Sequence, residues 1–150
     1  MKTITKPGDN LGGLLKIWAV PTSVYSVNGK TVTISSTDNI YEIYCTPESM
    51  VFSEPSEKTD AGTLYNTSVS GFIPKDSKEV LDAINDMERK PYIIIFMDGN
   101  GNYKAAGTAN EPLCISDNLN SGQQTSDRPG HQFEFSGQTL TRAIFIDKPF

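Results

Sequence analysis

One segment of this chain has a helical period, and extended segments with turn signals lie on both sides of it. In residues 75–90, KDSKEVLDAINDMERK, the large apolar side chains recur at the three-to-four-residue spacing of an amphipathic helix. These residues are Val80, Leu81, Ile84 and Met87, with Ala83 beside the stripe. Asp76 is placed to cap the first turn, with Glu79 three residues on, and Pro91 ends the helix. The pattern predicts one helix, over 77–89, whose stripe packs on a sheet.

Short extended runs make up most of the remaining chain. The clearest is VYSVNGKTVTI, residues 24–34, where Asn28-Gly29 predicts a type I′ hairpin turn. Further extended runs lie at 13–21, 39–49, 91–98, 102–108, 131–136 and 139–147. Many short strands and one helix between two β halves predict an α+β fold, mainly β. We expect an antiparallel sandwich or partly closed barrel with the amphipathic helix packed on it, as one domain over 13–150 after a flexible N-terminal arm, 1–12.

Two long polar segments interrupt the extended runs. Residues 53–62, rich in charge, are predicted to be an exposed loop between strands 50–54 and 63–73. Residues 109–130 are predicted to be a second loop with room for a short strand at 113–115. Such segments are too polar to fold on themselves and too long for simple connections, which predicts that they become ordered against a partner. The candidate interface residues are Glu54, Glu57, Lys58, Asp60, Leu113, Ile115 and Leu119.

The stretch DGNGN invites comparison with a calcium-binding EF-hand loop. Asp98, Asn100 and Asn102 supply oxygen at the first, third and fifth positions. The sixth position, which needs glycine, is Tyr103, and the twelfth, which needs glutamate, is Ala109. The stretch is therefore interpreted as a hairpin turn without a metal ion.

Few other residues suggest reaction chemistry. His131 is the only histidine, and no serine lies in a GxSxG context. The two cysteines, Cys45 and Cys114, form no CxxC pair and are predicted to be free, partly buried thiols, although a disulfide between them stays open. We therefore predict no catalytic, cofactor-binding or metal-binding residues, and a protein that is not an enzyme.

The composition is that of a soluble globular chain. Its 150 residues carry a net charge of −5 and form no basic stripe, which argues against sequence-specific nucleic-acid binding. The longest apolar run, 92–97, is far too short to cross a bilayer, and the first residues lack the apolar core of a signal peptide. We therefore predict a soluble protein made in a cytoplasm.

The aromatic residues allow two interpretations. Seven rings could form a sugar-stacking platform; they are Trp18, Tyr25, Tyr41, Tyr44, Tyr65, Phe72 and Phe96. Their alternation along extended runs favours core and cross-strand packing instead. Several exposed, coplanar rings would favour sugar binding, whereas alternating burial would favour an assembly protein.

The order of elements resembles the tail-tube fold family of long-tailed bacteriophages, whose relatives include tail-terminator and neck proteins. Four stretches are also similar to structural proteins of prophages in gut Bacteroidales: LLKIWAVP, TDAGTLYNTSVSGFIPK, YIIIFMDGNGNYKAAGTANEPL and FEFSGQTLTRAIFID. The resemblance covers most of residues 14–147 and contributes no catalytic residue.

This resemblance implies a virion structural protein that self-assembles through long loops and sheet edges. Its partners would be further copies of itself, in a ring or tube that is often hexameric, and other virion proteins. It would lie in the bacterial host cytoplasm and then in the virion. A carbohydrate- or protein-binding β-sandwich module is the alternative from another class, and an enzyme is the third.

Overall fold

The fold is described from a computed structural model, which covers residues 2–4, 8 and 10–150. Part of the predicted arm, residues 1, 5–7 and 9, lies outside the described residues. Twelve strands occur in the described part of the chain: β1 (Leu14–Pro21), β2 (Tyr25–Asn28), β3 (Thr31–Ile34), β4 (Tyr41–Ile43), β5 (Val51–Ser53), β6 (Ser56–Thr59), β7 (Gly62–Pro74), β8 (Tyr92–Asp98), β9 (Tyr103–Ala106), β10 (Cys114–Asn120), β11 (Gly130–Thr139) and β12 (Ile144–Ile146). One α-helix, α1 (Lys78–Met87), connects β7 to β8.

The strands form two main antiparallel sheets and a separate hairpin. Sheet I has the order β12-β9-β8-β1-β4, and sheet II has the order β10-β11-β7-β5, with β6 also paired to β7. The longest pairing joins β11 to β7 from Gly130↔Pro74 to Thr139↔Tyr65. The sheets do not close into a barrel. The predicted α+β, mainly β, sandwich with one helix is confirmed.

The main core lies between the two sheets. Sheet I contributes Ile17, Ile94 and Phe96, and sheet II contributes Phe133 and Phe135, all of them almost fully buried. These positions alternate along their strands, as expected when one face of each sheet is covered. The core is thus built by strands far apart in sequence.

A second, smaller core lies on the opposite face of sheet I. Trp18, Ile93 and Ile95 are buried there, and Val32 and Ile34 of the β2–β3 hairpin pack against that cluster. Strand β8 is therefore covered on both faces, which explains its uninterrupted apolar run.

Helix α1 buries a narrower stripe than its sequence predicts. Ile84 and Met87 are buried and Val80 packs partly on the core, but Leu81 is 39% exposed, so its predicted core position is wrong. One helical step of about 100° separates Leu81 from Val80, and only one side of the helix meets the sheets. The predicted cap is also wrong, since Ser77 Oγ, and not Asp76, accepts the Val80 amide at 3.3 Å.

Both segments predicted as long loops contain a strand, and the second contains a longer one than the short strand predicted at 113–115. Residues 53–62 contain β6, which turns at Asp60-Ala61 and pairs with the start of β7. Residues 109–130 contain β10, which pairs with β11 along seven residues. Polar composition misled the prediction because outer strands need only backbone partners on one side, while their side chains can face solvent.

Both predicted hairpin turns exist, with one correction. Pairing of Asn28 with Thr31 places Gly29-Lys30 in the turn, one residue later than predicted. Gly29 has φ 64°, whereas the described non-glycine residues with positive φ are only Glu48 and Lys75. One positive φ at the first central position excludes the type I′ turn.

Candidate functional site

An apolar groove lies where sheet I and sheet II both end in an unpaired strand edge. We call it the edge groove; its volume is about 1190 Å³. Its floor is made by buried apolar side chains, namely Leu14, Ile43, Cys45 and Met50. Its rim carries large apolar side chains that are exposed, namely Leu11, Leu15, Tyr44 and Val51. The most exposed is Tyr44, at 72%. This much uncovered apolar surface in one place is typical of an interaction site.

The connection between β4 and β5 shapes the edge groove. The Thr46 amide donates to the Phe72 carbonyl at 2.9 Å, which ties this connection to β7. Ser49 Oγ accepts the Phe72 amide at 3.2 Å and donates to the Thr46 carbonyl at 2.6 Å. Glu48 takes a φ of 65°, which allows the chain to turn from sheet I towards sheet II. These bonds hold β4 and β5 as neighbouring edges with no further strand beyond them among the described residues.

The other edge of sheet I is also apolar. On β12, Ile144 and Phe145 are exposed, and Leu140 is exposed in the turn before it. The Lys104 ammonium lies 4.7 Å from the centre of the Phe145 ring, a cation–π arrangement. Sheet I thus has exposed apolar side chains at both ends of its strand order.

The structure does not bring the predicted interface residues together. Glu57, Lys58 and Asp60 are exposed on the β6–β7 hairpin, and Leu119 is exposed on β10. Glu54 is used within the chain, because its carboxylate accepts the Ala143 amide at 2.7 Å and lies 3.4 Å from Arg142. The other two predicted interface residues, Leu113 and Ile115, do not offer a free surface either.

Leu113 is fully buried in the main core and Ile115 packs partly against it. These positions correct the predicted interface, since a side chain in the core is not available to a partner.

Sequence reasoning missed the edge-groove residues. For Tyr44, the alternation in residues 39–49 did indicate exposure, because Glu42 and Tyr44 lie on the face opposite to that of the buried Ile43 and Cys45.

His131 is fully buried between two carboxylates. Its Nδ1 lies 2.8 Å from Asp117 Oδ2, and its Nε2 lies 3.4 Å from Asp76 Oδ1. The Nε2 atom and Asp117 Oδ1 have no hydrogen-bond partner among the described residues. Because the ring is enclosed, a substrate cannot reach it, and the arrangement is better suited to holding β10, β11 and the β7–α1 connection together.

The turn at 98–102 uses its own oxygen atoms internally. Asp98 Oδ1 accepts the amides of Asn100 and Asn102, each at 2.9 Å. Asn100 Oδ1 accepts the Leu11 amide, which fixes the chain just before β1. Burial raises the pKa of Asp98, but these hydrogen bonds and the one from the Asn102 side chain outweigh it, so the pKa is lowered. The turn is thus a hairpin closed by an aspartate, as predicted.

We expect the protein to lose stability as the pH falls below about 4. Hydrogen bonds from Tyr41 and from the Gln124 amide lower the pKa values of Asp86 and Asp127, respectively, and that of Asp98 is also lowered. A carboxyl group whose pKa is lowered by folding stabilises the folded state at pH values above its ordinary pKa of about 3.9. This stabilisation is lost as the pH falls through the folded-state pKa. Urea midpoints measured from pH 7 to pH 2 should fall, and Asp98→Asn should reduce the slope. A flat profile in the wild-type protein would contradict this reading.

The two cysteines are free and differ in environment. Cys45 is buried at the floor of the edge groove, and Cys114 is exposed on β10. Burial raises the pKa of the Cys45 thiol to about 12, so almost none of it is the reactive thiolate at neutral pH. The prediction of free thiols is confirmed, although Cys114 is more exposed than expected.

One thiol per chain should therefore react quickly with a disulfide reagent in the native protein. The second should react only after denaturant is added, because Cys45 must first be exposed. Cys114→Ser should abolish the fast reaction and leave the slow one. Two fast thiols in the wild-type protein would show that the edge groove opens readily.

The seven aromatic rings do not form a common platform. Phe96 and Trp18 are buried, Tyr25 and Tyr41 are half-buried, and only Tyr44 is exposed. Tyr65 and Phe72 are half-buried on sheet II. Trp18 instead faces Tyr103 and Phe150, with ring centres 6.1 and 5.5 Å away.

No group of three or more potential metal ligands is present in the described part of the chain. Among the described residues, no helix is both long enough and apolar enough to cross a membrane. No family model, curated protein or solved structure matches this chain.

Proposed function

We propose that this protein is a non-enzymatic structural protein of a phage or prophage virion, of the tail-tube, tail-terminator or neck class. It assembles with copies of itself into a ring or tube and contacts other virion proteins. It is made in the bacterial host cytoplasm before it enters the virion, and it needs no cofactor, nucleic-acid sequence or membrane for this role.

The observation that carries this proposal is the concentration of exposed apolar side chains at unpaired strand edges. Six of the twelve large apolar side chains that are exposed in the described residues lie in the edge groove or on β12, and a seventh, Leu140, lies in the turn before β12. Scattered exposed apolar residues need no explanation, but clusters beside free backbone edges favour association. The sheet edges, rather than the two polar segments, therefore support the self-assembly part of the proposal.

Two further features favour assembly over sugar binding or catalysis. The seven candidate rings are dispersed, and all but Tyr44 are at least half-buried, so they offer no common stacking surface for a sugar. The only histidine is enclosed by two aspartates and cannot act on a bound molecule.

The test is concentration-dependent assembly of the purified protein. Sedimentation velocity should show species larger than the monomer at high concentration, and negative-stain electron microscopy should show rings or tubes. Strictly monomeric protein under crowded, high-salt and template-containing conditions, together with binding to a glycan array, would favour the carbohydrate-binding alternative.

A further inference from the structure

The two edges of sheet I, at β4 and at β12, have complementary shapes. At the β4 end, exposed apolar side chains surround a groove that has a buried apolar floor. At the β12 end, Ile144 and the 55%-exposed Phe145 project from a strand, and neither side chain lines the edge groove. A projecting apolar edge can fill a groove, whereas two grooves or two projecting edges cannot fill each other.

The charges at the two ends are also complementary. Glu48 lines the edge groove and takes part in no ion pair with the described residues. Lys104 lies beside Phe145 at the β12 end and likewise has no ion pair among the described residues. Opposite charges at facing edges would help to select this pairing over the pairing of two like ends.

Strand direction gives a third constraint. Sheet I has five strands, and every neighbouring pair is antiparallel. With an odd number of alternating strands, β4 and β12 run in the same direction. If copies are related by rotation about an axis along the strands, β12 of one copy therefore meets β4 of the next in parallel. A two-fold pairing of identical edges would instead be antiparallel.

We propose that the edge groove binds the β12 edge of a second copy of this chain, in a head-to-tail junction where β12 adds to β4 and Phe145 enters the groove beside Tyr44. This inference rests on the proposed self-assembly and specifies its interface. Such an interface leaves one free groove and one free β12 edge on every assembly, so it continues until the rotation closes a ring.

The length of these strands limits the strength of one junction. β4 and β12 have three residues each, so strand addition supplies few backbone hydrogen bonds. Short edge strands also protect proteins from uncontrolled pairing. The junction should therefore be weak for an isolated pair and become effective when a ring closes, because closure makes the last contact intramolecular.

The decisive experiment uses two variants that each lose one end. Tyr44→Asp places a charge at the groove rim, and Phe145→Asp places one on the β12 edge. Both side chains are exposed and Asp at 145 can pair with Lys104, so both variants should fold, which circular dichroism would verify. Each variant alone should associate more than about tenfold more weakly than the wild-type protein in sedimentation velocity.

Because a single junction is weak, the two variants should be mixed in equal amounts at the highest concentration they tolerate, where they should form a dimer that does not grow. The intact β12 edge of Tyr44→Asp fits the intact groove of Phe145→Asp, while the remaining two ends carry like charges. Leu119→Lys, an exposed change on β10 in sheet II, is the matched control and should assemble like the wild-type protein.

The other outcomes distinguish a wrong junction from a failure of self-assembly. If the wild-type protein assembles but the mixture gives no dimer, or if Leu119→Lys abolishes assembly, the head-to-tail junction is wrong while self-assembly stands. If either variant alone forms a stable dimer, the pairing is between like ends and the inference is overturned. If the wild-type protein never associates, both the inference and the proposed self-assembly fail.

Discussion

Replacing Ile84 with alanine is expected to lower the free energy of unfolding by about 2–5 kcal/mol, the range for truncating a large buried side chain. Ile84 is 1% exposed and belongs to the main core between the sheets. Removing its outer carbon atoms leaves a cavity that the surrounding β-structure can fill only in part. Urea denaturation monitored by the single tryptophan would measure the change.

Leu81→Ala provides the matched control on the same helix. Because Leu81 is 39% exposed and lies outside the main core, its truncation should cost less than about 1 kcal/mol, partly offset by the higher helix propensity of alanine. Equal losses for the two variants would mean that α1 does not pack on the sheets through Ile84 and Met87.

Replacing His131 with alanine is expected to cost about 3–5 kcal/mol, because it leaves a buried carboxylate without its partner. Asp117 is nearly buried, and its Oδ2 bonds only to His131 within the described part of the chain. Asp76→Ala should cost much less, since the Asp76 side chain is about half exposed and lies 3.4 Å away. Denaturant unfolding at fixed pH would compare the three proteins.

A double replacement separates the electrostatic explanation from simple loss of packing. If the unpaired Asp117 carboxylate is the main cost, His131→Leu with Asp117→Leu should be more stable than His131→Ala alone, because no buried charge is left. A double variant less stable than the single one would show that the imidazole–carboxylate pair itself stabilises the fold.

The sequence predicts the fold class well because its strongest signals are local. The helical spacing of Ile84 and Met87 and the turn at 98–102 act through neighbouring residues and survive in the structure, and the first hairpin turn survives one residue later than predicted, at 29–30. Strands β6 and most of β10 were predicted as loop because their side chains are polar. Their backbone pairing with β7 and β11 leaves no trace in side-chain polarity.

The candidate site was harder to predict because it is a property of sheet order. Nothing local marks Leu15 and Val51 as exposed, since each lies in an apolar run that resembles a core strand. They become a rim only because β4 and β5 are the last strands of their sheets. Similarly, no spacing in the sequence places Asp76, Asp117 and His131 around one ring.

The strand order of sheet I also bears on synthesis of the chain. Strand β1 lies between β4 and β8, so one of its edges finds a partner early, whereas the other must wait until residues 92–98 have been translated. The sheet is complete only when β12, the last of its strands in the sequence, reaches β9. During translation the apolar β1 therefore remains open to wrong pairing with other nascent chains, a hazard for which chaperones exist. Sheet I therefore gains its full strand order only after residues 144–146 have been translated, rather than strand by strand as the chain leaves the ribosome.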